Sequence, residues 1–109
     1  MVDEYEKWLR DLDDGTQDSL LVSIRLLQEQ GPSLARPYAD TLKNSKLGNL
    51  KELRTQHKGK PYRTLYAFDP ERSAILLLGG DKSSKKNWYK KNIPVAESRY
   101  EEHLKTLED

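Results

Sequence analysis

Tyr5, Trp8, Leu9 and Leu12 recur at i, i+3, i+4 and i+7, a spacing that predicts a helix with one buried face. Asp11, Asp13, Asp14 and Gly15 break that stripe, and Asp14 followed three places later by Gln17 fits the cap of a second helix. Leu20, Ile24 and Leu27 then form one line, widened by Leu21. Gly31-Pro32 ends the helix near Gln30, the glycine as a left-handed cap and the proline as a stop. The two helices form an αα-hairpin whose stripes are better explained by core packing than by a membrane or a partner helix.

The period changes after this hairpin. Residues 31–49 mix Pro32, Pro37, Gly48, Asn44 and Asn49 and read as a connector, with a helical turn near residues 38–42. Residues 50–56 alternate, with Glu52 and Arg54 on one face and Leu53 on the other, as a strand requires. His57-Lys58-Gly59-Lys60-Pro61 is a hairpin loop, and residues 62–68 form an aromatic-rich second strand. Asp69-Pro70-Glu71-Arg72-Ser73 is a turn with proline at its second position. Residues 74–78 are continuously apolar, which predicts a central strand buried on both faces. Gly79-Gly80 then permits a kink or a close backbone approach to a ligand. Residues 81–92 read as a basic loop containing Trp88 and Tyr89. Pro94 suits the first position of a last helix with Ala96, Tyr100, His103 or Leu104, and Leu107 along its apolar side. The order ααβββα predicts a two-layer α+β fold: a helical hairpin, a three-stranded antiparallel sheet and a C-terminal helix.

Composition sets the limits. A chain of 109 residues, 35% hydrophobic and 34% charged, forms one domain over residues 1–109. No apolar run approaches a membrane span, and the acidic start Met1-Val2-Asp3-Glu4 is not a secretory signal, so the expected compartment is the cytoplasm. Cysteine is absent and only His57 and His103 are present, too few ligands for a zinc site. The net charge of +1 conceals segregation: residues 1–30 carry −5, residues 31–92 carry +9 and residues 93–109 carry −3. A basic middle between acidic ends points to a polyanion-binding face.

The chemistry available is narrow. There is no P-loop, no Gly-x-Ser-x-Gly and no catalytic cysteine, so an enzyme here would work with Arg, Lys, Tyr, Glu and His57. That set suffices for metal-free, cofactor-free RNA cleavage, in which the 2′-hydroxyl attacks its own phosphate. Arg54, Arg63 and Lys82 are candidates to clamp the phosphate, Glu52 or a lysine to act as base, and Tyr89 or a lysine as acid. Lys51, Lys58, Lys60, Lys85, Lys86, Lys90 and Lys91, with Trp88 as a stacking platform, are candidates for RNA binding. A salt-bridge ladder is an equally good reading of Glu52 and Arg54.

At these residues the chain resembles a known family. Lys51-Glu52-Leu53-Arg54, Tyr62-Arg63 with its aromatic strand, and Ile75-Leu76-Leu77-Leu78-Gly79-Gly80-Asp81-Lys82 resemble the HigB-type toxins of the RelE/ParE superfamily. So do Gly31-Pro32-Ser33-Leu34 and Ile93-Pro94-Val95-Ala96 with Arg99-Tyr100, and the likeness covers nearly the whole chain. The resemblance implies a type II toxin–antitoxin toxin that cuts mRNA on the ribosome. It also implies contacts to 16S rRNA and neutralisation by a HigA-like helix-turn-helix antitoxin. Arg54, Arg63 and Lys82 match the family's basic positions best. Relatives begin with a short strand, for which Tyr5-Glu6-Lys7-Trp8 leaves no room. The superfamily also includes ParE-like members that poison gyrase without nuclease chemistry, and a non-catalytic RNA- or ribosome-binding module is a further alternative.

Overall fold

A computed structural model describes residues 1–83 and 86–108. Helices α1 (Asp3–Arg10) and α2 (Asp14–Gln30) lead into strands β1 (Ala39–Thr41), β2 (Lys51–His57), β3 (Lys60–Phe68) and β4 (Ala74–Asp81), and α3 (Trp88–Thr106) follows. The strands form one antiparallel sheet in the order β1-β2-β3-β4. The expected α+β class is observed, with a fourth strand. β1 lies where a helical turn was expected: Arg54 N–H donates to Tyr38 O at 2.9 Å, and Leu42 N–H to Leu50 O at 2.9 Å. Three residues with only Ala39 buried carry too little alternation to announce a strand.

Strand alternation sorts the core. Leu53, Tyr62, Tyr66 and Leu76 face α1 and α2, packing on Tyr5, Leu9, Leu20, Ile24 and Leu27. Leu65, Ala67, Ile75, Leu77 and Leu78 face α3, packing on Trp88, Ile93, Ala96 and Tyr100. Helices therefore occupy both faces, where one was expected. β4 is buried on both faces as its apolar run requires, but it lies at the end of the strand order rather than the centre. Its outer edge is partly covered by the N-terminus, where Val2 N–H donates to Leu76 O at 3.1 Å. That single bond stands where relatives are expected to carry a strand.

Between the Leu65↔Leu78 and Tyr66↔Leu76 pairs, β4 contains one unpaired residue, Leu77, which makes a bulge. The bulge sends both Leu77 and Leu78 toward α3. Arg99 Nη1 donates to the Leu77 carbonyl at 2.9 Å.

Several local expectations shift. The cap of α2 is Asp13 rather than Asp14, and Gln17 Nε2 donates instead to the carbonyls of Arg10 and Leu12 at 3.0 and 2.8 Å. The β2–β3 turn is Lys58-Gly59, both at positive φ (50° and 78°), the signature of a two-residue hairpin. α3 begins at Trp88, so Pro94 lies inside the helix instead of opening it. Buried Trp88 and Ile93 anchor the extra turns on the sheet, and proline costs them one backbone bond.

His103 and Asp69 pin the far half of α3 to the β3–β4 turn. His103 Nε2 lies 2.8 Å from Asp69 Oδ2. Asp69 Oδ1 accepts the N–H groups of Glu71 and Ser73 at 3.0 Å each. Burial opposes the charge on Asp69, but the bonds from His103, Ser73 and Glu71 outweigh it and hold this carboxyl below its ordinary value. A carboxyl depressed on folding stabilises the fold above the unfolded value of about 4 and loses that contribution as pH falls through the folded one. Denaturation midpoints should therefore drop on acidification below about pH 4, and Asp69→Asn should flatten that drop. Parallel midpoint curves for the two proteins would remove Asp69 from the account of acid sensitivity.

Candidate functional site

On the α3 face of the sheet, Arg54 and Arg63 stand directly opposite one another across β2 and β3. Two like charges in that position repel, and Glu52 lies between them. Glu52 Oε2 accepts from Arg54 Nε and Nη2, both at 3.1 Å, and Arg63 Nε lies 3.4 Å from Glu52 Oε1. Tyr89, in the first turn of α3, donates its hydroxyl to the same Oε1 at 2.5 Å. Burial, then the bond to Glu52, raises the Tyr89 phenol above its usual value, against a smaller lowering by Arg63. Lys82 Nζ lies 5.5 Å above the Tyr89 ring. Five expected residues, Glu52, Arg54, Arg63, Lys82 and Tyr89, thus meet at one place.

Glu52 is buried, while the Arg54 side chain is 27% exposed. The salt-bridge reading of Glu52 and Arg54 is realised in the geometry, and the same contacts aim two guanidiniums at one patch. Arg63 Nη1 donates to its neighbouring Tyr62 carbonyl at 3.0 Å, which fixes the plane of the fork. Asp40 lies 3.5 Å from Arg54 and moderates its charge from the β1 side.

Beside this cluster, Leu42, Lys43, Asn44, Glu52, Tyr89 and Ile93 line a cleft of about 260 Å³. Its outer wall is the β1–β2 loop. Buried Glu97 of α3 holds that loop by accepting Ser45 Oγ–H and Lys46 N–H at 2.7 Å each. Lys43 and Asn44 escaped the sequence reading because no local pattern marks them. Their placement depends on a carboxylate some fifty residues away, and only Glu97 at an otherwise apolar helix position offered a signal.

The remaining candidates divide. Lys86, Lys90 and Lys91 are exposed around the first turn of α3, where the helix dipole contributes positive potential and the turn itself carries no acidic residue. Lys58 and Lys60 are exposed at the β2–β3 hairpin, whose end is tied to Lys82 by its N–H donating to Pro61 O at 3.0 Å. Lys51 points to the opposite face from Glu52 and donates to Thr41 Oγ1 at 3.1 Å. Lys85 lies outside the described residues. Trp88, expected to be an accessible stacking platform, is 5% exposed, because it packs on Gly80 and the α3-side core. His57 is on the α2 side, with Nδ1 2.7 Å from Ser19 Oγ.

The Gly79-Gly80 pair has occupants of its own. A methyl group on Gly79 would lie 2.2 Å from the Trp8 ring, and one on Gly80 would lie 2.9 Å from the Trp88 ring. The close approach permitted by these glycines is made by one indole from each face of the sheet. Among the described residues, no helix is long and apolar enough to cross a membrane.

Comparison with known proteins shows the family of the chain. Residues 7–101 match the family model described as "Phage derived protein Gp49-like (DUF891)". The chain is 44% identical to "Putative toxin HigB3" of Mycobacterium tuberculosis (strain ATCC 25618 / H37Rv) over 95% of its own length and 90% of that protein. It is 39% identical to "Putative toxin HigB2" of the same organism, over 99% of its own length and 55% of that protein. No solved structure matches. The match across most of the chain, together with two similar proteins named HigB, shows that the chain belongs to the Gp49-like, HigB-type family.

Proposed function

We propose that this protein is the toxin of a type II toxin–antitoxin system, and that it arrests translation by cutting mRNA on the ribosome. The observation that carries the reading is the convergence of Arg54, Arg63, Lys82 and Tyr89 around buried Glu52. Two guanidiniums and an ammonium against the carboxylates of Glu52 and Asp40 leave excess positive charge where a phosphate would sit. In this reading the arginines hold the scissile phosphate and stabilise charge as the RNA 2′-oxygen attacks phosphorus. The 2′-hydroxyl proton passes to the Tyr89 oxygen as the Tyr89 proton passes to Glu52. The phosphorus–5′-oxygen bond breaks, Lys82 supplies a proton to the departing 5′-oxygen, and the products are a 2′,3′-cyclic phosphate and a 5′-hydroxyl. No metal takes part in this reading.

Lys58, Lys60, Lys86, Lys90 and Lys91 would contact mRNA or 16S rRNA through phosphates, an interaction weakened by salt. The natural partner would be a HigA-like helix-turn-helix antitoxin, and the site of action the cytoplasm.

Mapping mRNA 5′ ends after brief induction tests the proposal. Wild type should produce new ends within translated codons, and Arg63→Ala should reduce them by about 100-fold or more, the scale of losing one charge-stabilising group. Arg63→Ala should still fold and bind ribosomes. Growth arrest without new ends would refute nuclease action and favour a gyrase-directed or ribosome-binding toxin.

A further inference from the structure

Every fourth residue of α3, from Tyr89 to Glu101, falls on one helix face. Each of these positions meets the candidate site or the loop beside it. Tyr89 donates to Glu52, and Ile93 lines the cleft next to that carboxylate. Glu97 Oε2 accepts Ser45 Oγ–H and Lys46 N–H, both at 2.7 Å. Glu101 Oε1 lies 3.1 Å from Lys46 Nζ. Ser45 Oγ in turn accepts Leu47 N–H at 3.0 Å, while Leu42 N–H donates to Leu50 O. The β1–β2 loop is thus closed at its base and latched at its middle to the helix that carries Tyr89. Glu97 is 7% exposed. A carboxylate so placed is costly without strong donors, and the loop supplies two.

We propose that the latched loop selects the base beside the cut: Asn44 reads the edge of the nucleotide next to the scissile phosphate, Lys43 holds a neighbouring phosphate, and Glu97 positions both. The inference rests on the ribonuclease reading. Lys43 and Asn44 are exposed, and among the described residues their side chains enter no hydrogen bond or ion pair. A free carboxamide offers a donor and an acceptor side by side, the complement of an unpaired base edge. Residues 42–50 contain two lysines and no acidic residue. Lys46 pairs with Glu101, so Lys43 is the one left for a phosphate.

Position supports it equally. Lys43 and Asn44 line the same cleft as Glu52 and Tyr89. Glu52 is also the carboxylate between Arg54 and Arg63. A phosphate on the two guanidiniums therefore has this cleft at its side, and the adjoining nucleotide of a single strand reaches the loop. Half-buried Leu42 gives the cleft an apolar part for the body of the base. Because Glu97 and Tyr89 stand on one helix, the latch sets the distance between the groups that select the base and the tyrosine beside the reacting phosphate.

The test measures binding of the full chain to labelled heptaribonucleotides UUUNUUU that differ only at N. They carry 2′-fluoro sugars, which lack the attacking hydroxyl, so they stay uncut. Wild type should prefer one base by about tenfold, the scale of one two-bond base contact. Asn44→Ala should bring the affinities together. Lys43→Ala should weaken all of them alike and flatten their salt dependence. Glu97→Ala, at a residue that touches no RNA in this reading, should also erase the base preference. Glu97→Gln, which keeps an acceptor for the loop, should restore most of it. Ser45→Ala serves in the same way if Glu97→Ala does not fold. Equal affinities in wild type, or a preference that Asn44→Ala leaves intact, would overturn the proposal. A preference kept in folded Glu97→Ala would overturn the positioning role. Maps of mRNA 5′ ends separate this outcome from the nuclease reading. Cuts whose base pattern is the same in Asn44→Ala refute base selection alone. A base preference that depends on Asn44, in a toxin that makes no cuts, refutes the nuclease reading and leaves the base contact standing.

Discussion

Glu52→Gln is expected to unfold this protein at markedly lower denaturant, with a loss of about 3 kcal/mol, the lower range for removing one partner of a buried ion pair. The residue is nearly isosteric, so the loss is of charge. Arg54 and Arg63 face each other across β2 and β3, and cross-strand like charges destabilise a sheet unless something offsets them. Glu52 is that offset: its side chain is 5% exposed, that of Arg63 is 11% exposed, and both arginines lie within 3.4 Å of it. Solvent reaches Arg54 more freely, which is why the lower end of the range applies. The pairing also makes a second-variant forecast. Arg63→Met in the Glu52→Gln background should recover part of the lost stability, because it removes the charge left unpaired. Equilibrium denaturation of the wild type, both single variants and the double variant measures the coupling. Strict additivity would show that the three charges do not act as a unit. Glu52 has one duty to the fold and another to the proposed chemistry, so activity lost in Glu52→Gln must be read against the fraction folded.

Gly79→Ala is expected to be nearly as damaging, although the change adds one methyl group. That methyl would lie 2.2 Å from the Trp8 ring, inside any tolerable contact distance. Both sides are constrained: Gly79 is paired with Thr64 in the sheet, and Trp8 is held between Tyr5 and Tyr62. Either the strand or the indole must move. Overpacking of this kind costs about 1–3 kcal/mol, and partial loss of the Trp8 contacts places the total near the top of that range. For a domain of this size the melting temperature should fall by roughly 15 °C. Trp8→Ala in the same chain should relieve the clash, so that Gly79→Ala costs much less in that background than in wild type. Equal costs in the two backgrounds would show that Trp8 is not what the methyl meets.

These results indicate which features were legible in the sequence. The α1 and α2 stripes were readable because Tyr5, Leu9, Leu20, Ile24 and Leu27 all face one core with a helical period. The last three strands were readable because Gly59 and Asp69-Pro70 punctuate them. β1 was hidden by its brevity, since only Ala39 is fully buried. The start of α3 was hidden by lysines: Lys86, Lys90 and Lys91 made a helix N-terminus resemble a loop, and Pro94 offered a false starting point. Within the candidate site, alternation alone put Glu52 and Arg54 on one face, and strand pairing then added Arg63. The burial of Trp88 was not readable, because it depends on the absence of a side chain at Gly80. Lys43 and Asn44 depend on a loop tied to Glu97, a contact no period can reveal.

The Leu77 bulge bears on how length variation among relatives should be read. Removing Leu77 would join Leu76↔Tyr66 directly to Leu78↔Leu65 and restore an unbroken ladder, with every later residue on its present face. The core would lose one leucine, and Arg99 would lose the carbonyl it now holds. A one-residue gap at this point of an aligned relative therefore leaves Gly79, Gly80 and Asp81 where they are. A gap of the same size after the bulge, with the bulge kept, exchanges the two faces. Gly80 then meets Trp8, and the approach to Lys82 departs from the wrong side of the sheet. Two relatives of equal length, differing only in where one residue is missing, would thus differ in whether the charged cluster can assemble at all.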